Sequence, residues 1–321
     1  MKRKALTVVF ILVLAVSMLN AKDHSEVSLL DSNVDKDAGK YGFQFLKIPS
    51  SPELAAMANT GEMQHNSPLT IFHHPAAFRW ERGSFIALSQ TNWFVGSNMY
   101  NLAWRNVKLR QSFGLGLVYM DHGSFDRRTE NGTEIGSYYP MDLKATGNYA
   151  FKLTPNIHLG ANVNLIYEKI DTSSALAFST DIGYVFLTPL RNTTFDLAVK
   201  NIGVSTKMDI EKIDMPLTME AGLSTGFDID DFLCTYHSTH VSIYPALKLT
   251  YMRDHDNLMP AVGMQVKFYD MFFLRMGYKF NYNEEDLSAG FGVHIKNIRV
   301  DYSFMNNAIE NIHMFGVGWA F

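Results

Sequence analysis

The sequence predicts an all-β fold, a transmembrane antiparallel β-barrel of about 14 strands. Three observations lead there. Apolar and polar residues alternate with a period of two over most of 84–321, the pattern of a strand with one apolar face. Many of these runs last about ten residues or more, whereas globular strands average about five or six and a tilted transmembrane strand needs about nine to eleven. The final run sets His313, Phe315, Val317, Trp319 and Phe321 against Met314, Gly316, Gly318 and Ala320. An apolar-aromatic last strand ending on Phe resembles the assembly signal of outer-membrane barrels.

The N-terminal part has a different character. Lys2-Arg3-Lys4, the apolar stretch 5–19 and Ala21 follow one another in the order of a secretory signal peptide cut after Ala21. The stretch is shorter than the roughly 20 residues of a membrane-spanning helix. Residues 22–40 are polar and charged, with too few apolar groups to build a core. Residues 41–83 form a further segment before the strands begin. In it, 53–58 has helical character, with Ser50 or Ser51 placed to cap it and Pro52 suited to the first turn. Residues 72–78 read as a turn or a second short helix.

Composition narrows the function classes. The 321 residues are 47% hydrophobic and 13% aromatic, with 23 Phe and 15 Tyr, which favours strands. Mean hydropathy is nonetheless close to zero, as expected when lipid-facing and lumen-facing residues alternate. The formal charge is -4, and without Lys2, Arg3 and Lys4 the balance is 25 basic to 32 acidic residues. Such a chain lacks the basic surface that nucleic acid requires. Cys234 is the one cysteine, which excludes an intrachain disulfide and a cysteine-based metal cluster.

The strands are expected near 84–91, 98–106, 110–120, 141–152, 156–170, 174–187, 193–201, 216–226, 240–252, 258–268, 272–281, 287–295, 297–305 and 312–321. The connections 153–156, 188–192, 269–271 and 296–297 are short and rich in Pro, Asn and Asp, suiting tight periplasmic turns. Residues 121–140 and 202–215 are longer and polar, suiting the outer side. The stretch 227–239 departs from this rule, being long on the side of the tight turns. A barrel is preferred to a sandwich because closure removes sheet edges, and unpaired backbone groups are not tolerated in hydrocarbon. Trp80, Trp93, Trp104 and Trp319 are candidates for interfacial girdles, with core packing as the alternative for Trp104. Glycines inside the strands, among them Gly116, Gly160, Gly183, Gly290 and Gly316, mark bends or close backbone approach.

No residue pattern calls for a catalytic site, a metal or a cofactor. The pair His73-His74 has no His-Glu-x-x-His context, and a packing or hydrogen-bonding role is expected. Asp228, Asp230 and Asp231 read as a solvated acidic turn, His237 and His240 as loop residues, and Asn131-Gly132-Thr133 as a turn. There is no Gly-x-Ser-x-Gly elbow. The chain is therefore expected to be non-enzymatic and to reside in the outer membrane of a Gram-negative-type bacterium. Its expected partners are membrane lipid and the barrel-assembly machinery, the latter meeting the strand of Phe315, Val317, Trp319 and Phe321.

One further resemblance rests on the N-terminal segment. Phe45-Leu46-Lys47-Ile48, then Glu53-Leu54-Ala55-Ala56-Met57-Ala58, then His74-Pro75-Ala76-Ala77 resembles the PorV/PorQ family, which belongs with the FadL-like outer-membrane barrels. That family typically carries Phe-Leu-x-Ile, Arg-Ala-x-x-Met-Gly and Asn-Pro-Ala-Gly in this order. Here Leu54 and Ala58 stand in place of the Arg and the Gly, and His74 and Ala77 flank Pro-Ala. The resemblance implies a fourteen-stranded barrel with residues 41–83 folded into the lumen as a hatch. Phe43, Phe45, Leu46, Ile48, Met57, His74 and Pro75 are then hatch or lumen residues. It implies two roles: receiving secreted cargo in a type IX-like secretion system, or passing long-chain fatty acids and other hydrophobic compounds.

Overall fold

The computed structural model describes residues 41–77, 81–209, 211–229, 240–254, 257–282 and 285–321. The expected signal peptide, residues 22–40, Trp80, Asp230, Asp231, Cys234 and His237 lie outside the described residues. Fourteen long strands account for most of the rest. They are β1 (Gly83–Asn92), β2 (Asn98–Val107), β3 (Gln111–Asp121), β4 (Met141–Lys152), β5 (Ile157–Ile170), β6 (Ser173–Leu187) and β7 (Thr194–Ser205). The second half holds β8 (Thr218–Ser224), β9 (Val241–Met252), β10 (Asn257–Phe268), β11 (Phe272–Lys279), β12 (Glu285–Ile295), β13 (Ile298–Asn307) and β14 (Ile312–Ala320).

Every strand pairs antiparallel with its neighbours in sequence, and the sheet closes on itself. The closing seam runs from Phe85↔Ala320 to Asn92↔His313 between β1 and β14. Across the barrel, β8 joins β9 from Thr218↔Met252 to Ser224↔Ala246. Closure leaves no long edge unpaired, which is the condition for placing strands in hydrocarbon.

The faces are inverted relative to a soluble protein. Leu88, Leu115, Val163, Ile182, Leu274, Phe291, Val317 and Trp319 are all exposed on the outer wall. Asn101, Arg105, Asp142, Lys144, Asn148, Asn162, Asp181, Lys248, Gln265, Arg275 and Asp301 are buried inside. A water-soluble chain does not expose an apolar surface of that extent. Facing lipid, it is the stable arrangement. No helix among the described residues is long and apolar enough to cross a membrane.

Connections sort by end. Residues 107–111, 152–157, 187–194, 268–272 and 295–298 make tight turns at one end, the periplasmic end of such barrels. Tyr269, Asp270 and Lys296 adopt positive φ in these turns. At the other end, 121–141 carries a hairpin (Phe125–Arg128 with Glu134–Tyr138) that turns at Gly132, and 205–218 carries a two-residue ladder. The long 224–241 connection does lie at the tight-turn end, where Phe227 and Asp228 pair with Ile243 and Ser242.

Three local expectations are corrected. The helix is α1 (Pro52–Ala55), shorter than expected, because Ala58 and Asn59 turn to positive φ and Asn59 N–H donates back to Leu54 O at 2.8 Å. Ser51 occupies its N-cap position but makes no capping bond through its side chain. Trp93 is not a girdle residue: it is partly buried against Ala55, Met305, Ile312 and Met314 on the lumen side. Trp104 alternates in register with exposed Tyr100 and Leu102 and so belongs to the outer face.

Candidate functional site

Residues 41–77 run through the lumen as a plug, and the wall is shaped to receive them. A β-carbon on Gly160 would sit 2.5 Å from Pro75 O, and one on Gly290 would sit 2.6 Å from the Ala56 Cβ. At Gly160 the obstacle is plug backbone, whereas at Gly290 it is the Ala56 side chain together with Tyr302 O of the neighbouring strand, 2.4 Å away. Met57, fully buried, packs in the same way over Gly263 and Gly277. At the next layer Asn148 Nδ2 donates to Pro75 O (3.0 Å), Asn162 Nδ2 to Ile71 O (2.8 Å) and Arg105 Nη1 to Thr70 Oγ1 (3.1 Å). Ser288 Oγ accepts from Ala58 N–H (3.1 Å) and lies 3.2 Å from Ala56 O as its donor. Near the periplasmic end Gln64 Nε2 reaches Thr225 O and Pro245 O, and Arg299 Nη1 donates to Asn66 O at 2.7 Å. Wall side chains thus satisfy plug backbone groups that could not be buried bare.

The N-terminal end of the plug is tethered near the long loops. Phe43 N–H donates to Glu168 Oε2 at 2.6 Å, Gly42 N–H to Asp214 O at 3.3 Å, and Lys47 pairs with Asp254. Phe43 takes positive φ there, so its ring turns inward to meet Phe45, Leu69, Ile71, Phe72 and barrel residues Val118, Met120 and Ile166. Leu46 and Ile48 pack on the edge of this cluster.

A cavity opens above it. Its floor is the plug surface of Phe45, Leu46, Ile48 and Phe72, and its walls include Val118, Lys144, Lys200, Glu220, Thr250 and Tyr282. Lys144 Nζ lies 5.9 Å from the Phe72 ring centroid, a cation–π contact. Lys200 Nζ lies 2.7 Å from Glu220 Oε1. The lining is mixed and more polar than apolar, with the apolar plug side chains set among polar and charged groups.

Below the cavity an ion lattice joins plug to wall. Lys248 pairs with Glu62 of the plug and, at 3.1 Å, with Glu220, which also holds Lys200. His74 lies beside it. Its Nε2–H donates to Leu197 O at 3.0 Å while its Nδ1 accepts from Ala76 N–H at 3.2 Å. That pair of bonds fits the neutral ring, and burial pushes the His74 pKa down to about 3. His73 Nε2 accepts from Ser50 N–H at 3.1 Å, and burial holds it well below the usual histidine range too.

Of the residues singled out from sequence, Phe43, Phe45, Leu46 and Ile48 come together at the cavity end of the plug, whereas Met57, His74 and Pro75 lie along the opposite walls. Phe315, Val317, Trp319 and Phe321 are exposed on the outer face of β14 and just past it. Asp228 Oδ1 accepts from Ser242 Oγ, and the His240 ring meets that of Tyr269 at a tilt, 5.2 Å between centroids. The ion lattice of Glu62, Glu220, Lys200 and Lys248 was not singled out. Its signal is charge at alternate, lumen-facing strand positions: Glu220 and Lys248 each sit between apolar neighbours.

Taken together, the closed fourteen-strand wall, its apolar outer belt and its occupied lumen define an outer-membrane β-barrel with an internal plug. No protein-family model and no curated protein matches this chain. Solved structures do. The Pseudomonas putida toluene transporter TodX superposes with a TM-score of 0.56 at 12% identity, covering 84% of this chain and 96% of that one. A Pseudomonas aeruginosa FadL homologue gives 0.52 at 11%, covering 85% and 98%. A TodX mutant described as a monoaromatic hydrocarbon channel gives 0.54 at 12%, covering 83% and 96%. At such identities the likeness is one of fold: the chain is an outer-membrane β-barrel built like these structures.

Proposed function

We propose that the chain is a FadL-type conduit that carries hydrophobic small molecules across the outer membrane. The observation that carries this is the cavity at the loop end, floored by Phe45, Leu46, Ile48 and Phe72 of the plug itself. An apolar ligand resting there touches the part of the chain that blocks the lumen, so ligand binding and plug displacement are coupled by contact. The likeness of fold to a toluene transporter supports the same choice. No catalytic step is assigned to the chain. The test is uptake of labelled oleate and labelled toluene by bacteria lacking their own FadL. Cells displaying the heat-modifiable, folded barrel take up at least one of them faster than vector controls. Rates equal to control for both compounds, with folded barrel present, refute the assignment.

A second reading, support of protein secretion or surface attachment in the manner of PorV, is favoured by the motif order of residues 45–77 and the exposed hairpin at 125–138. Loss of surface-displayed proteins on deletion in the native host would support it, and an unchanged surface proteome would remove it.

A further inference from the structure

On the flank of the lumen formed by β12 and β13, three side chains bring their donor atoms within 4.8 Å of one another: Glu53 of α1, His294 of β12 and Asp301 of β13. His294 Nε2 is 3.2 Å from Asp301 Oδ2 and 3.8 Å from Glu53 Oε1. Ligands held about 2.1 Å from a tetrahedral zinc ion are about 3.4 Å apart, so the two separations bracket that spacing. The other Asp301 oxygen accepts from Arg275 Nη1 at 2.7 Å, and Arg275 Nε donates to Gln265 Oε1 at 2.7 Å. Asp301 is thereby fixed with both carboxylate oxygens 3.2–3.3 Å from His294 Nε2, as an outer-shell partner fixes a metal ligand.

His294 and Asp301 are hydrogen-bonded to each other, and Glu53 is the member of the cluster left poorly satisfied. Glu53 is 3% exposed, and its Oε2 has no hydrogen-bond partner among the described residues. A buried carboxylate in that condition is costly unless a cation or donor reaches it. His65, equally buried with Nε2 unpartnered, lies close enough to Arg275, Asp301 and His294 for their charges to act on it.

We propose that Glu53, His294 and Asp301 bind a divalent first-row transition metal, with zinc the best fit to one imidazole and two carboxylates. Two ligands belong to the wall and one to the plug, so the ion staples the plug to the barrel. This inference stands apart from the identity of any transported molecule. The ligands are 241 and 248 residues apart from Glu53 in the chain, and sequence spacing therefore gives no hint of the site.

The test uses the full chain folded in detergent micelles, stripped with chelator and titrated with Zn²⁺ by calorimetry. One zinc per chain is expected, with affinity reduced at least about tenfold in both Glu53→Gln and His294→Ala. X-ray absorption at the zinc edge of the wild-type complex is expected to show nitrogen and oxygen donors including imidazole. This second readout needs no variant to fold. Absence of stoichiometric binding, or affinity unchanged in both folded variants, overturns the site. A zinc spectrum without imidazole does the same.

Discussion

Lys248 is the residue whose loss should loosen the plug most selectively. Its ammonium is the counter-charge of Glu62, and among the described residues no other donor serves either Glu62 oxygen. Both side chains are almost completely buried. Lys248→Met keeps most of the side-chain volume and removes the charge. Glu62 is then stranded on the plug, while Glu220 keeps Lys200 at 2.7 Å. Breaking a buried pair by removing one partner costs about 3–5 kcal/mol, a factor of roughly one hundred to a few thousand in the equilibrium between seated and displaced plug. Hydrogen exchange on the barrel in nanodiscs reads this directly. Peptides from 52–77 should lose protection by that amount while those from β2, β3 and β13 keep theirs. The double variant Lys248→Met with Glu62→Gln should recover much of the loss, because the stranded charge is gone. Unchanged protection of 52–77 in Lys248→Met, or a loss shared equally by the barrel strands, would refute the assignment of Lys248 as a plug anchor.

Other consequences are as specific. Val317 lies at the middle of β14 on the outer face, paired beside Leu88 and Val300. Val317→Arg should cost about 2–4 kcal/mol in reversible unfolding from phospholipid vesicles; a change below about 0.5 kcal/mol would place that face elsewhere. Gly160→Val sets a side chain where Pro75 O lies, and the strain, about 1–3 kcal/mol, should appear as faster exchange at 71–77 with the barrel intact. His122, at the loop end of β3, bonds Asp142 at 2.8 Å, and this bond raises its pKa above the ordinary histidine value. The protonated form is therefore favoured by folding. The stabilisation is full below about pH 6.5 and fades as pH rises through the elevated folded pKa. Imidazole NMR should show a midpoint above 6.5 that falls in Asp142→Asn; a midpoint unmoved by that change would deny the bond its role.

The barrel was legible because lipid enforces it on every strand. Each segment must present apolar residues at alternate positions for its whole crossing, and β4 begins and ends at the residues expected from that pattern, 141 and 152. Where alternation lapses, so does the reading. β7 continues to Ser205, beyond the expected 201. The pairing register shifts between Thr180 and Ile182, and Asn201, at positive φ, donates its N–H to Asp181 Oδ1 at 2.8 Å. An extra residue of this kind throws the period out of phase. The plug was less legible in detail. Its resemblance to a family motif pointed to the lumen, but its backbone is held by side chains from distant strands. Period two tells that Glu220, Lys248 and Asp301 face inward. It does not tell that Lys248 meets Glu62 or that Asp301 comes near Glu53, because those meetings depend on how the barrel closes.

The central claim is that the sheet is closed and shows its apolar face to lipid. Spin labels placed singly at 313–319 of β14, with the protein in bilayers, test it most directly. Accessibility to oxygen should alternate, high at 315, 317 and 319 and low at 314, 316 and 318, with water-soluble nickel excluded from the former. Nickel access at 315 and 317, or protection of both from oxygen and nickel alike as in a protein core, would contradict the account.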